Sequence, residues 1–226
     1  MQALPKIIYQ LTKLAIVAAF IGAVADVLLL YNPEGGYENG DYFFLTQISN
    51  FRLLAGHYIG IFFIPLAMMG LLHVYHCLKP AGVTLAAGIC MATLYLGYPG
   101  VVFHGTVAFT ANFLKLMING DTNINSLMPY IRMLSDPLAI FMPLAFMTVS
   151  GLFVYTVIRR QTRYKRWMLF CNPLTFYSIF LVSYIVVPPV GEILLPAGFN
   201  LSFGLFFLCS LAAEKKADYT TLAYSS

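Results

Sequence analysis

The chain has 226 residues, of which 60% are hydrophobic and only 10% charged, with a mean hydropathy of +0.78 and a formal net charge of +4. No water-soluble core buries that much apolar side chain, so soluble globular classes are excluded. Apolar windows of the roughly 20 residues that a bilayer crossing needs recur almost without pause.

In chain order the windows run over about 8–31, 51–78, 81–114, 130–158, 167–187 and 190–211. Backbone polar groups in hydrocarbon must be paired within their own segment, and these runs are too long and continuous for barrel strands, so each window is expected to be helical. The expected fold is all-α, an integral membrane six-helix transmembrane bundle forming one domain over residues 1–226. No repeat, low-complexity tract or long linker divides it. In the first window, Lys6, Lys13 and the A-x-A-like Ala23-Val24-Ala25 also fit a signal peptide. The apolar run continues through Val27-Leu28-Leu29-Leu30, which favours an uncut first helix.

Charge sorts by side. Six crossings put ten of the 13 basic residues on one side, namely Lys6, Lys13, Lys79, Arg159, Arg160, Arg163, Lys165, Arg166, Lys215 and Lys216. The positive-inside rule makes that side cytoplasmic, with both termini inside and the 34–50 and 119–128 loops outside. The expected location is the plasma membrane, in a bacterium the inner one, as a multi-pass protein. The Arg159–Arg166 rim suits anionic head groups of the lipid bilayer; nothing in its pattern points to nucleic acid. Cys77, Cys90, Cys171 and Cys209 avoid the outer loops and read as small, reduced, apolar residues.

Most acidic residues fall in the outer half. Counting inward at about 1.5 Å per residue, Asp26 lies about 7 Å deep and His57 and Asp136 about 9 Å, with Glu192 shallower and His104 near the outer edge. Ionisable groups inside a span are costly and usually pair or line water. Most have a plain structural reading. Asp136 before Pro137 fits an N-cap, Arg132 and Asp136 stand i, i+4, Glu192 suits a helix start, and Arg52 can snorkel. Asp26 has no such reading, because the dipole disfavours a carboxylate at a helix C-terminus. It needs a partner, and Arg52, Arg132, His57 and His104 are the candidates by depth.

Gly97-Tyr98-Pro99-Gly100 is expected to break the third span, and Pro188, Pro189 and Pro196 to mark the start of the last. Gly56 and Gly60 form a G-x-x-x-G face read as packing. His73 and His76, i, i+3 beside Lys79, have a spacing that could hold a metal, but with no companion ligand except Cys77 they read as interface histidines.

Phe103-His104-Gly105 with Ala108-Phe109, Tyr164-Lys165-Arg166-Trp167 leading to Asn172-Pro173-Leu174, and Leu194 to Leu201 through Pro196, Gly198 and Asn200, together with Ala25-Asp26, carry a resemblance. They resemble an uncharacterised multi-pass bacterial membrane protein family, a domain of unknown function. The resemblance implies that Asp26, His104, Asn172 and Asn200 belong to the family pattern, and it implies no activity or cofactor.

Two functions stay open. One is a protein that binds or transports a small polar or amphipathic ligand, or a lipid, through an extracytoplasmic-facing pocket of Asp26, Arg52, His57, His104, Arg132, Asp136, Glu192 and Asn200. Six helices without inverted repeats are few for a secondary transporter, and a homodimer would relieve that. The other is an intramembrane hydrolase in which His57, His104 and Asp26 hold a divalent metal such as zinc. A structural or assembly role is the third alternative.

Overall fold

The computed structural model describes residues 4–34, 42–120 and 128–214. Glu38, Asp41, Asp121, Lys215, Lys216 and Asp218 lie outside them, as does the side chain of Asp136. Among the described residues the chain is helical, and the one β-type pairing is an isolated bridge between Tyr164 and Glu214.

Helix α1 spans Lys6–Leu30, α2 Asn50–Met68, α3 Leu71–Leu78, α4 Val83–Asn119, α5 Met128–Arg159, α6 Pro173–Val186, α7 Pro188–Leu194 and α8 Gly198–Ala213. The second expected window is thus α2 and α3, which continue one another across Met69 and Gly70 and cover Asn50–Ala81 as one apolar stretch of 32 residues. Among the described residues four stretches are long and apolar enough to cross a membrane, and α7 with α8, bent by 79°, makes a fifth if the pair is one span. In the 167–187 window a 3-10 turn over Arg166–Phe170 precedes α6, whose 14 residues fall short of the roughly 20 of a straight crossing. The many apolar helices are compatible with a membrane protein.

Two expected breaks are absent. Pro99 lies inside an uninterrupted α4 of 37 residues, and Pro137 and Pro143 lie inside α5. Asp136 is therefore not the N-cap of a restarting helix. Proline removes one N–H and crowds the preceding turn, but in apolar surroundings the rest of the ladder has no water to compete for it, so the helix carries through.

Small residues let α1 sit deep in the bundle. Ala15, Ala18, Ala19, Gly22 and Ala23 are all buried, and α1 packs along α2 on one side and α8 on the other. Outward, the bundle is as apolar as inward. Phe62, Phe109 and Ile185 are each more than 60% exposed, the pattern of a surface that meets something other than water.

Aromatic rings fasten α5. Phe146 lies 5.0 Å from Phe199, 5.9 Å from Phe203 and 6.0 Å from Tyr177 between centroids, all edge-on, and Phe153 meets Phe206 at 5.2 Å. Edge-to-face pairs add to the burial of the rings themselves. Phe146→Ala should therefore lower stability in detergent by about 3 kcal/mol or more. Phe170→Ala, on a ring that is 74% exposed, should change it by less than about 0.5 kcal/mol. Thermal unfolding of the two variants side by side checks this, and equal shifts would mean that the ring cluster does not hold α5.

Candidate functional site

Asp26 lies in the last turns of α1, facing into the bundle and almost fully buried. Its partner among the four candidates is His104. The imidazole Nε2 stands 2.9 Å from Asp26 Oδ1, and the Asn200 amide donates to Asp26 Oδ2 at 2.7 Å. The other ring nitrogen, His104 Nδ1, lies 3.1 Å from the carbonyl oxygen of Gly56. Three helices, α1, α4 and α8, thus meet at one carboxyl group, and α2 holds the far side of the imidazole.

The partners dictate the proton count. A carbonyl only accepts, so His104 Nδ1 must carry hydrogen. The Nε2–Oδ1 contact then needs one further proton, which sits either on the imidazole, giving an ion pair, or on the carboxyl, giving a neutral pair. Both arrangements satisfy every atom and both are neutral overall.

Space for the pair comes from glycines. A Cβ on Gly60 would stand 2.1 Å from His104 Nδ1, and one on Gly56 2.6 Å from Leu29 Cγ and 2.9 Å from the carbonyl oxygen of Ala25. The G-x-x-x-G face of α2 therefore does two jobs: Gly56 admits α1, and Gly60 admits the imidazole. On α1, a Cβ at Gly22 would reach Asn200 at 3.0 Å.

The remaining expected residues are only partly gathered here. His57, half-buried, places Nδ1 3.2 Å from the backbone carbonyl of His104, which aligns it behind the pair. Arg52 does not reach Asp26. It donates instead to the carbonyl oxygens of Val27, at 3.1 Å, and Tyr31, closing the C-terminus of α1 as a cation should. Arg132 is exposed on α5, and Glu192 is exposed on α7, which packs against α6. Asn172 caps α6, its side chain accepting from the Thr175 N–H at 3.2 Å.

The residues that carry this geometry fall within a single family match, which spans residues 1–217 and is described as a family of unknown function, DUF6796. The chain belongs to that family. No curated protein and no solved structure is significantly similar to it.

At the other end of α1 this DUF6796 protein holds a second buried polar cluster. His73 is fully buried, with Nδ1 2.8 Å from Ser210 Oγ and Nε2 3.3 Å from Glu214 Oε2. Tyr9 donates to Glu214 Oε2 at 2.7 Å, and Arg163 Nη1 lies 3.6 Å from Glu214 Oε1. Tyr164 Oη and Ser210 Oγ are 2.7 Å apart, and burial pushes the Tyr164 phenol well above its ordinary range, so that contact is between two hydroxyls. His73 is therefore a core residue rather than an interface one, whereas His76 stays half-buried. The signal in the sequence was His73 and Cys77 at i, i+4 on one helix face; the missing piece was Glu214, 141 residues away from His73.

The Asp26 network predicts opposite outcomes for two substitutions of similar size. In Asp26→Asn the new amide can donate to His104 Nε2 and accept from Asn200, so stability should stay within about 1 kcal/mol of wild type. Asp26→Leu leaves both neighbours without a partner and should cost about 3 kcal/mol or more. Chemical or thermal unfolding in detergent measures both; a loss in Asp26→Asn as large as in Asp26→Leu would mean that the carboxylate charge itself, not the hydrogen-bond pattern, holds the helices.

Proposed function

We propose that this DUF6796 protein spans the bacterial inner membrane six times, with both termini cytoplasmic. In this reading it binds or transports a small polar or amphipathic ligand and uses the Asp26–His104 pair as its proton-bearing group. The observation that carries the reading is the pair itself: a carboxyl and an imidazole, 2.9 Å apart and buried between four helices, that must share one proton. Paired aspartate and histidine residues within a membrane recur in the proton relays of pumps and transporters. A purely structural contact of the same shape needs no titratable group.

Six crossings follow if α6, extended by the 3-10 turn before it, and the bent α7–α8 pair each count as one. The lipid bilayer then covers the exposed apolar faces, with a second copy of the chain as a further partner along them. In this reading the ligand enters from the extracytoplasmic side, where His57 backs the pair and Arg52 lies at the end of α1. Gain or loss of a single proton at the pair changes the local charge by one in a low-dielectric setting, and a polar ligand arriving next to it biases that change.

Ligand binding should therefore depend on pH. A thermal-shift screen of purified protein against small polar and amphipathic compounds should find stabilisers whose effect changes between about pH 5 and 8. In Asp26→Asn, which keeps the hydrogen bonds but fixes the proton count, that dependence should disappear. A stabiliser with the same pH profile in both proteins would sink the proton role. A stoichiometric metal lost from both His57→Ala and His104→Ala would move the assignment to the hydrolase.

Orientation has its own test. In intact cells an impermeant thiol reagent should modify Glu34→Cys and spare Gln161→Cys, each judged against wild type. The reverse pattern would turn the protein over and place the pair on the cytoplasmic side.

A further inference from the structure

We propose that His73, Cys77 and Glu214 form a structural zinc site that locks the end of α8 onto α3. The site is separate from the Asp26–His104 pair and does not rest on the function proposed for it. One turn of helix puts His73 and Cys77 on the same face of α3. Glu214 follows α8 in extended backbone and is held there by the bridge to Tyr164 and by the Lys165 N–H bond to the carbonyl of Ala213, at 2.9 Å. All three side chains are buried, and one donor atom from each lies within 4.8 Å of the other two.

The spacing suits an ion. His73 Nε2 and Glu214 Oε2 are 3.3 Å apart, longer than the roughly 2.7–2.9 Å of a charge-assisted hydrogen bond and longer than the 2.9 Å of the His104–Asp26 contact. Two metal–ligand bonds of about 2.0–2.1 Å at the tetrahedral angle span about 3.3 Å. Cys77 Sγ lies over the imidazole ring, 3.8 Å from His73 Nδ1 and 3.9 Å from Nε2, so its side chain must swing toward the Nε2 side to join them at a zinc–sulfur bond of about 2.3 Å.

The surroundings fit a ligating set. With Ser210 Oγ 2.8 Å from Nδ1, the ligating tautomer donates Nδ1–H to that hydroxyl and turns its Nε2 lone pair toward Glu214, the orientation that outer partners give a metal-bound histidine. Arg163 lies against Glu214 Oε1, so Oε2 is the oxygen left toward the histidine, with the Tyr9 hydroxyl beside it to complete four-fold coordination or to hydrogen-bond the carboxylate. A thiolate and a carboxylate neutralise a divalent ion, and the sulfur–imidazole combination selects zinc over magnesium or calcium. The competing arrangement is a plain hydrogen-bond network in which His73 Nε2–H donates to Glu214 and Ser210 donates to Nδ1.

Cobalt substitution separates the two. Full-length protein purified in detergent, stripped with chelator and titrated with cobalt, should bind one equivalent and develop tetrahedral d–d bands with a thiolate-to-cobalt charge-transfer band. Zinc should abolish those bands and raise the melting temperature. Cys77→Ser should lose the charge-transfer band and the zinc-induced shift, while a Cys90, Cys171 and Cys209 triple serine variant keeps both. If Cys77→Ser does not fold, the triple variant alone decides, because Cys77 is then its only thiol. Failure of wild type to bind cobalt or zinc, or a bound metal without the thiolate band, overturns the site and leaves the hydrogen-bond network.

Discussion

The carboxyl of Asp26 is buried where the dipole of its own helix opposes it, and the arrangement of α1, α2, α4 and α8 follows from supplying it with partners. His104 comes from α4 and Asn200 from α8, and neither reaches Asp26 unless both helices lie against α1 at the same height. The Gly56 carbonyl, from α2, fixes the other side of the imidazole. An apolar helix can slide or rotate against its neighbours at small cost, since one greasy face resembles another. A carboxyl that must meet one imidazole and one amide fixes the register of three neighbours at once.

The same helices organise the opposite end. Tyr9 and Asp26 are 17 residues apart on α1, about 25 Å along the axis, which approaches the roughly 30 Å of a hydrocarbon core. Between them runs the stripe of alanines and glycine that lets α8 lie close. A Cβ added to Gly204 of α8 would already touch Ala19 at 3.4 Å. Each end of the α1–α8 contact thus closes on a histidine–carboxylate contact, and the middle closes on small side chains, where packing and not polarity does the holding.

The helical class and most helix positions were legible in the sequence, because apolar run length is enough to read them. So was the isolation of Asp26, since a carboxylate at a helix end without cap or favourable dipole asks for a partner. Which partner was not legible. Depth counting offered Arg52 and His104 equally, and the choice depended on which carbonyls at the end of α1 needed a donor; Arg52 took those. Gly60 looked like a packing residue because its use appears only once the ring of His104, 44 positions later, is placed against it. Proline misled in the other direction. Pro99 and Pro137 are breakers by their chemistry in water, and both lie in helices that continue. The 141-residue separation of His73 and Glu214 left no local pattern to find.

The length of α4 has a mechanical consequence. Its 37 residues make a rod of about 55 Å, nearly twice the thickness of a hydrocarbon core. A crossing that hid all of it would need a tilt well beyond the roughly 40° that spanning helices adopt, so the rod is longer than a single crossing uses. Near its C-terminus Lys115 reaches across to the Ile48 carbonyl and to Asn50 Oδ1, strapping the 3-10 turn over Phe43–Thr46 and the start of α2 to this helix. Leu45 and Ile48, buried beneath, make the strap a collar with its own apolar lining. His104 lies on the same helix about three turns before Lys115, so the collar and the imidazole share one continuous stretch of helical backbone.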